Sequence, residues 1–256
     1  MSKNKYGFDQ FYTKKEVVIS CLKDIDFTLY DVVIEPSAGD GAFFDEIPHK
    51  NKIGYDIDPK KNNIIKCDFL TIDHDIFSGK NVLSIGNPPF GRNSSMALKF
   101  IKKSALFATT IAFILPKGFK KRSTIDKIPL NFEIKKIIDL EDNTFLYENQ
   151  NFNVPCVWVI LEKTEKLRTK ELKIRPEKFK FTNKENSNIA IRRVGVNAGK
   201  VFLNTNVSES SHYFLKFDNP EEIYEKIKNL KYSSNDTTGP RSIPKNELII
   251  MIESVI

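Results

Sequence analysis

The 256-residue chain is poor in cysteine, histidine, tryptophan and arginine. Its three cysteines, Cys21, Cys67 and Cys156, lie far apart and form no CxxC pair. That excludes a disulfide scaffold and a cysteine-based zinc site. His49, His74 and His212 are equally scattered and make no ligand cluster, so no metal is expected. No apolar run approaches the ~18 residues that span a bilayer. The first ten residues, MSKNKYGFDQ, hold no apolar segment of the kind a secretory signal needs. A protein of the cell interior (cytoplasm or nucleus), with no membrane partner, is the expectation. Arginine supplies only seven of the 40 basic residues. Bidentate arginine readout of guanine is therefore not expected to dominate any recognition.

What is present fits a globular chain. Hydrophobic residues make up 40% and charged residues 29%, with Phe, Ile and Leu recurring throughout. A wholly disordered chain would lack that apolar content. The formal charge is +7 and the pI about 9.1, which favours polyanionic partners such as nucleic acid.

Residues 1–30 read as a polar lead-in and a helix, with Thr13 as its N-cap and Val17, Val18, Cys21 and Leu22 at helical spacing. DVVIEPSAGDGAFFDEI reads as strand, tight loop and helix. KIGYDID, NIIKCDF and NVLSIGN follow as strands, then a helical stretch over 95–107. TTIAFILP, EIKKIIDL and VPCVWVILE complete seven strand-like segments, the first of these a continuous apolar run suited to burial on both faces. Strands alternating with helices predict an α/β fold: a Rossmann-like, doubly wound, mostly parallel seven-stranded sheet. The expected division is a catalytic domain over 1–162 and a small mixed C-terminal subdomain over 163–256. In the latter, IAIRRVG, AGKVFLN and HYFLKF read as short strands and PEEIYEKIKNL as a helix. Residues 163–186 mix Lys with Glu and read as a solvated connector.

Open doubly wound sheets bind ligands beyond the carboxyl ends of their strands. The first strand ends in Glu35-Pro36-Ser37-Ala38-Gly39-Asp40-Gly41, where glycines allow a tight turn and close ligand approach. The second ends at Asp56, a carboxylate able to accept from two ribose hydroxyls, and the third at Asp68, able to accept from an adenine amino group. The fourth ends in Asn87-Pro88-Pro89-Phe90. Each is a common loop feature by itself; four in succession are not.

On these residues the chain resembles the class I S-adenosylmethionine-dependent methyltransferases, in the branch with an (Asn/Asp)-Pro-Pro-(Tyr/Phe) motif. The resemblance covers roughly residues 8–162. The motif order, and ILPKGFKK over 114–121, are like those of the gamma group of adenine-N6 DNA methyltransferases. The resemblance implies S-adenosyl-L-methionine as cofactor and the run Glu35 to Gly41 as its loop. It also implies Asp56 with Ile57 at the ribose, Asp68 with Phe69 at the adenine, and Phe11-Tyr12-Thr13 near the methionine end. Asn87, Pro88, Pro89 and Phe90 become the catalytic tetrad.

The chemistry suits those residue types. An adenine amino group is a poor nucleophile because its lone pair is conjugated with the ring. Its two N–H groups can donate to the Asn87 side-chain carbonyl and the Pro88 main-chain carbonyl, which favours a more tetrahedral nitrogen. The prolines stiffen the backbone, and Phe90 offers a face for stacking. Lys117, Lys120, Lys121 and Arg122 follow the fifth strand on the same sheet edge and are candidates for phosphate contacts. Adenine N6 in DNA is the leading expectation. RNA adenine, protein glutamine, cytosine N4 and a catalytically silent nucleic-acid-binding subunit are the alternatives.

Overall fold

The computed structural model describes residues 12–142, 144–147, 150–170, 172–232 and 241–256. The chain divides into two compact units, residues 1–170 and 171–256. The division falls at 170 rather than 162 because the chain after the last long strand stays on the first unit. Thr164 N–H donates to the Asn131 carbonyl and Arg168 N–H to that of Leu130, both at 2.8 Å.

In chain order the first unit holds β1 (Tyr12–Thr13), α1 (Lys15–Leu22), β2 (Val32–Glu35), α2 (Ala42–Glu46), β3 (Lys52–Asp56) and β4 (Ile65–Lys66). Then come β5 (Val82–Gly86), α3 (Ser95–Ser104), β6 (Thr110–Pro116), α4 (Arg122–Ile125) and β7 (Phe132–Asp139). The last are β8 (Phe145–Tyr147), β9 (Gln150–Phe152) and β10 (Cys156–Lys163). Seven strands form one sheet in the order β4-β3-β2-β5-β6-β10-β7. Neighbours from β4 to β6 pair in parallel, and β10 alone runs antiparallel, between β6 and β7. This is the doubly wound, mostly parallel sheet expected from the sequence. The winding direction reverses between β2 and β5, which opens a crevice at their carboxyl ends.

Alternation along the strands explains why both sheet faces are dry. Ile34, Ile111, Phe113, Leu115, Val157 and Val159 face one core, under Ala97, Phe100 and Ile101 of α3. Val33, Ala112, Ile114, Trp158 and Ile160 face the other, under Val18 and Cys21 of α1 and Phe43 of α2. The Phe43 and Trp158 rings stack with centroids 6.0 Å apart. Each such fully buried large side chain stabilises the fold by about 1.5–3 kcal/mol. One polar pair interrupts the first core: the buried hydroxyls of Ser84 on β5 and Ser104 on α3 lie 2.9 Å apart.

Two local expectations are corrected. Thr13 does not cap α1; it is a β1 residue paired with Phe145, and Lys14 holds the N-cap position without a side-chain bond. NIIKCDF forms a strand only at Ile65–Lys66; Cys67 N–H makes the last bond to β3, at the Asp56 carbonyl (2.8 Å), and Asp68 then caps the turn over 69–71.

The second unit contains β11 (Lys180–Phe181), β12 (Ile189–Arg192), β13 (Val201–Phe202), β14 (His212–Lys216), α5 (Pro220–Ile227) and α6 (Lys245–Glu253). Its strands form an antiparallel sheet in the order β11-β14-β12-β13. Ile189, Ile191 and Leu215 from the sheet pack with Ile227, Leu248 and Ile252 from the helices.

Candidate active site

The β2–β5 crevice is a cavity of about 630 Å³. Its lining brings together Tyr12, Thr13, Glu35 to Asp40, Asp56, Ile57, Asp68, Phe69 and Asn87 to Phe90. Four strand ends separated in sequence thus share one space. Gly41 is not in the lining but sits beside it, at φ +85°, as the residue that starts α2. Phe11 lies outside the described residues.

The loop after β2 is held by main-chain N–H groups bonded to the end of β3. Ala38 N–H donates to the Tyr55 carbonyl at 2.9 Å, and Gly39 N–H to Asp56 Oδ2 at 2.8 Å. Gly39 has φ +51°, and a Cβ there would sit 3.6 Å from the Tyr12 ring. The second Asp56 oxygen accepts from Asp58 N–H at 2.7 Å. Asp56 is therefore a structural acceptor for the loop as well as a cavity carboxylate. Ser37 Oγ donates to the Asn87 main-chain carbonyl at 3.0 Å, which ties the β2 loop to the residue that ends β5.

Asp68 likewise has two jobs. One oxygen accepts from Leu70 N–H at 2.9 Å and caps the turn over 69–71, while the residue still lines the cavity. That turn places Phe69 against Phe100 of α3, ring centroids 5.5 Å apart and nearly parallel. At the other end, Phe90 packs edge-on against Phe145 at 6.1 Å. The Phe90 carbonyl accepts from Met96 and Ala97 N–H at 3.1 and 3.3 Å, so the tetrad's last residue starts α3. Gly91, at φ +65°, makes that turn; a Cβ there would meet the Met96 side chain at 2.7 Å.

Glu35 is the most confined charge-bearing group in the cavity, 3% exposed. Its Oε2 is buried with no hydrogen-bond partner among the described residues. Burial raises its pKa well above the ordinary carboxylate value, Asp40 adds to the rise, and the Phe44 N–H opposes it. Burial likewise raises Asp40.

Sequence reasoning missed several contributors. Gly86, just before Asn87, has φ +141°, and a Cβ there would lie 3.0 Å from Glu35 Cγ. A glycine inside an apolar strand was the available signal. Lys60 also lines the cavity. Phe100 and Met96 enter it from α3, and nothing local in their sequence marks them.

The predicted phosphate contacts lie beyond β6. Lys117 and Lys120 both reach Asp139, at 3.8 and 3.0 Å. Arg122 pairs with Asp126 at 3.0 Å and donates to the Thr169 carbonyl. None of Lys117, Lys120, Lys121 and Arg122 lines the cavity.

No protein-family model matches the chain. A stretch of 104 residues, 40% of the chain, is 35% identical to Protein ENHANCED DOWNY MILDEW 2 of Arabidopsis thaliana and spans 8% of that protein's length. Among solved structures, the chain is similar to the 23S rRNA methyltransferase ErmE. That match has 16% identity and a TM-score of 0.45, over 63% of this chain and 73% of the other. It is also similar to a modification subunit assigned to a type I restriction enzyme of Vibrio vulnificus YJ016. There the identity is 13% and the TM-score 0.47, over 91% of this chain and 58% of the other. At such identities the activity has to be read from the cavity's own residues.

Proposed function

We propose that the chain is an S-adenosylmethionine-dependent methyltransferase acting on an exocyclic amine, with adenine N6 in DNA as the leading substrate. The observation that carries this reading is the single cavity shared by Glu35 to Asp40, Asp56, Asp68 and Asn87 to Phe90.

The cavity's charge suits a cationic adenosyl donor better than a dinucleotide. Asp40, Asp56, Asp58 and Asp68 line it beside the buried Glu35, against the ammonium of Lys60 among the described residues. A pyrophosphate needs N–H donors at a helix start. Here Asp40 Oδ1 already takes the Ala42 N–H at 3.2 Å, so α2 begins under a carboxylate. Glu35 Oε2, buried and unpartnered, is an acceptor suited to a ligand's ammonium group. When bound, S-adenosylmethionine supplies an electrophilic methyl on sulfur. Asp56 would hold the ribose, with Ile57 beside it. Asp68 would hold the adenine, against the Phe69 face.

The chain's own part in the reaction is to grip and orient an amine. Its N–H groups donate to the Asn87 side-chain carbonyl and the Pro88 carbonyl. Both acceptors are preset, because Ser37 fixes the Asn87 main chain and the prolines remove torsional freedom. The proton becomes acidic once the nitrogen is alkylated, so no strong base is required beforehand. In a duplex the target base would have to leave the stack, at a few kcal/mol.

The test is incubation with methyl-labelled cofactor and separate pools of DNA, RNA and protein, followed by digestion and mass spectrometry. Label as N6-methyladenine in the DNA pool is expected. Label in RNA, on protein glutamine or on cytosine N4 would replace the substrate and keep the chemistry. No label in any pool, with no cofactor binding by calorimetry, would overturn the reading in favour of a silent binding subunit.

A further inference from the structure

Charge is divided across the β2–β5 crevice. Residues 31–75, which supply β2, β3, β4 and their loops, hold ten acids against five Lys. Residues 76–125, which supply β5, the tetrad, α3, β6 and α4, hold nine basic residues and no Asp or Glu. The cavity repeats the division. Its carboxylates come from the first stretch, and the second contributes Asn87 to Phe90, Met96 and Phe100. A cationic donor fits the first side; a polyanion is repelled there and attracted to the second.

Several cations of the second stretch are already engaged. Lys117 and Lys120 face Asp139, and Arg122 faces Asp126. Lys103 Nζ donates to the Ile72 carbonyl at 2.6 Å, and Lys80 Nζ to that of Ile76 at 3.3 Å. Arg92, Lys99 and Lys102 have no ion pair or side-chain hydrogen bond among the described residues. All three are exposed, as is Ser95, and the four recur every three or four residues, the spacing of one helix face. Ala97, Phe100 and Ile101 turn another face of α3 into the core. The stripe starts at the cavity, because Arg92 stands between Phe90 and Met96, which both line it. From there α3, ten residues long, carries it about 15 Å. Lys102 suits the last turn of a helix, where the macrodipole is negative. Arg92 does not: it precedes the first turn, at the positive end, with no carboxylate to offset it. A cation in that place gains from the arrival of an anion.

We infer that the stripe of Arg92, Ser95, Lys99 and Lys102 is the track along which the phosphodiester backbone of a nucleic acid reaches the tetrad, in place of the cluster after β6. Arg92 holds the phosphate beside the target nucleotide, while Phe90, two residues earlier, faces its base. The inference deepens, and rests on, the proposed nucleic-acid substrate. Each lost phosphate contact flattens the salt dependence of binding, by about 0.9 in log–log slope for duplex and ~0.7 for single strands.

The experiment is fluorescence anisotropy over a salt series with labelled single-stranded DNA, duplex DNA and single-stranded RNA of one sequence. One variant carries Arg92→Gln, Lys99→Gln and Lys102→Gln. A control carries Lys23→Gln, Lys50→Gln and Lys163→Gln, removing equal charge elsewhere on the first unit. The stripe variant should flatten the slope by about two to three, with the control near the parent. Arg92→Gln alone should flatten it by about one and raise the KM for the oligonucleotide about tenfold, with melting temperature and S-adenosylmethionine affinity unchanged. Arg92→Lys, which keeps the charge and loses the fork, should restore the slope more than the KM. The oligonucleotide bound most tightly by the parent names the source. An unchanged slope in the stripe variant, equal losses in stripe and control, or binding to phosphatidylserine vesicles but to no oligonucleotide would overturn the track. Calorimetry with S-adenosylmethionine keeps the two claims separate. A flattened slope without cofactor binding leaves the track and removes the methyltransferase; cofactor binding with an unchanged slope does the reverse.

Discussion

Gly86 and Glu35 meet at the carboxyl ends of two adjacent parallel strands, and a Cβ on Gly86 would stand 3.0 Å from Glu35 Cγ. That contact joins the acid of the cavity floor to the strand that delivers Asn87. Gly86→Ala should therefore strain the backbone at φ +141° and push the carboxyl aside. The expected cost is about 1–3 kcal/mol of stability, read by denaturant titration. Cofactor affinity should fall with it. Unchanged affinity in a folded variant would mean that the Glu35 carboxyl position does not matter to the ligand.

Asn87→Ala tests the amine grip. The Ser37 bond is to the Asn87 main chain, so it survives the substitution and the loop geometry should hold. Cofactor binding should stay near the parent value by calorimetry, while methyl incorporation falls ~100–1000-fold, the size of loss seen when one preorganised hydrogen-bonding group is removed. Full activity would take Asn87 out of the chemistry.

Asp56→Ala removes two backbone bonds at once, those from Gly39 and Asp58. It should loosen the β2 loop and raise the cofactor dissociation constant about tenfold to a hundredfold. Asp56→Asn, which keeps one carbonyl acceptor, should lose less. Equal losses would show that the negative charge, and not the loop geometry, is what the ligand uses.

Much of this site was legible because apolar runs stop abruptly at acids, glycines or prolines. Val32 to Ile34 end at Glu35, and Val82 to Ile85 end at Gly86 and Asn87, and parallel strands place such ends on one edge. What stayed hidden depends on distant partners. Thr13 has the composition of a helix cap, yet its pairing with Phe145 across the chain makes it a strand residue. The apolar run in α6, Leu248 to Ile252, shows no period that separates helix from strand. Asp139 is an ordinary strand-end acid until Lys117 and Lys120 arrive beside it.

Glu35 gives a pH signature. Its folded pKa lies above the ordinary 4.5, so the folded state holds a proton that the unfolded chain releases. Stability from this group is full below pH 4.5 and is lost as pH rises through the folded pKa. Glu35→Gln keeps the neutral shape and removes the titration. The parent's melting temperature without ligand should therefore decline with rising pH over that window relative to the variant's. Coincident melting curves across the window would show that Glu35 is already ionised in the folded protein. The same substitution removes the anionic acceptor proposed for the ligand's ammonium, so Glu35→Gln should also weaken cofactor binding most at high pH, where the parent carboxyl is charged. Stability and affinity thus move in opposite directions with pH in the parent, and both trends vanish together in the variant.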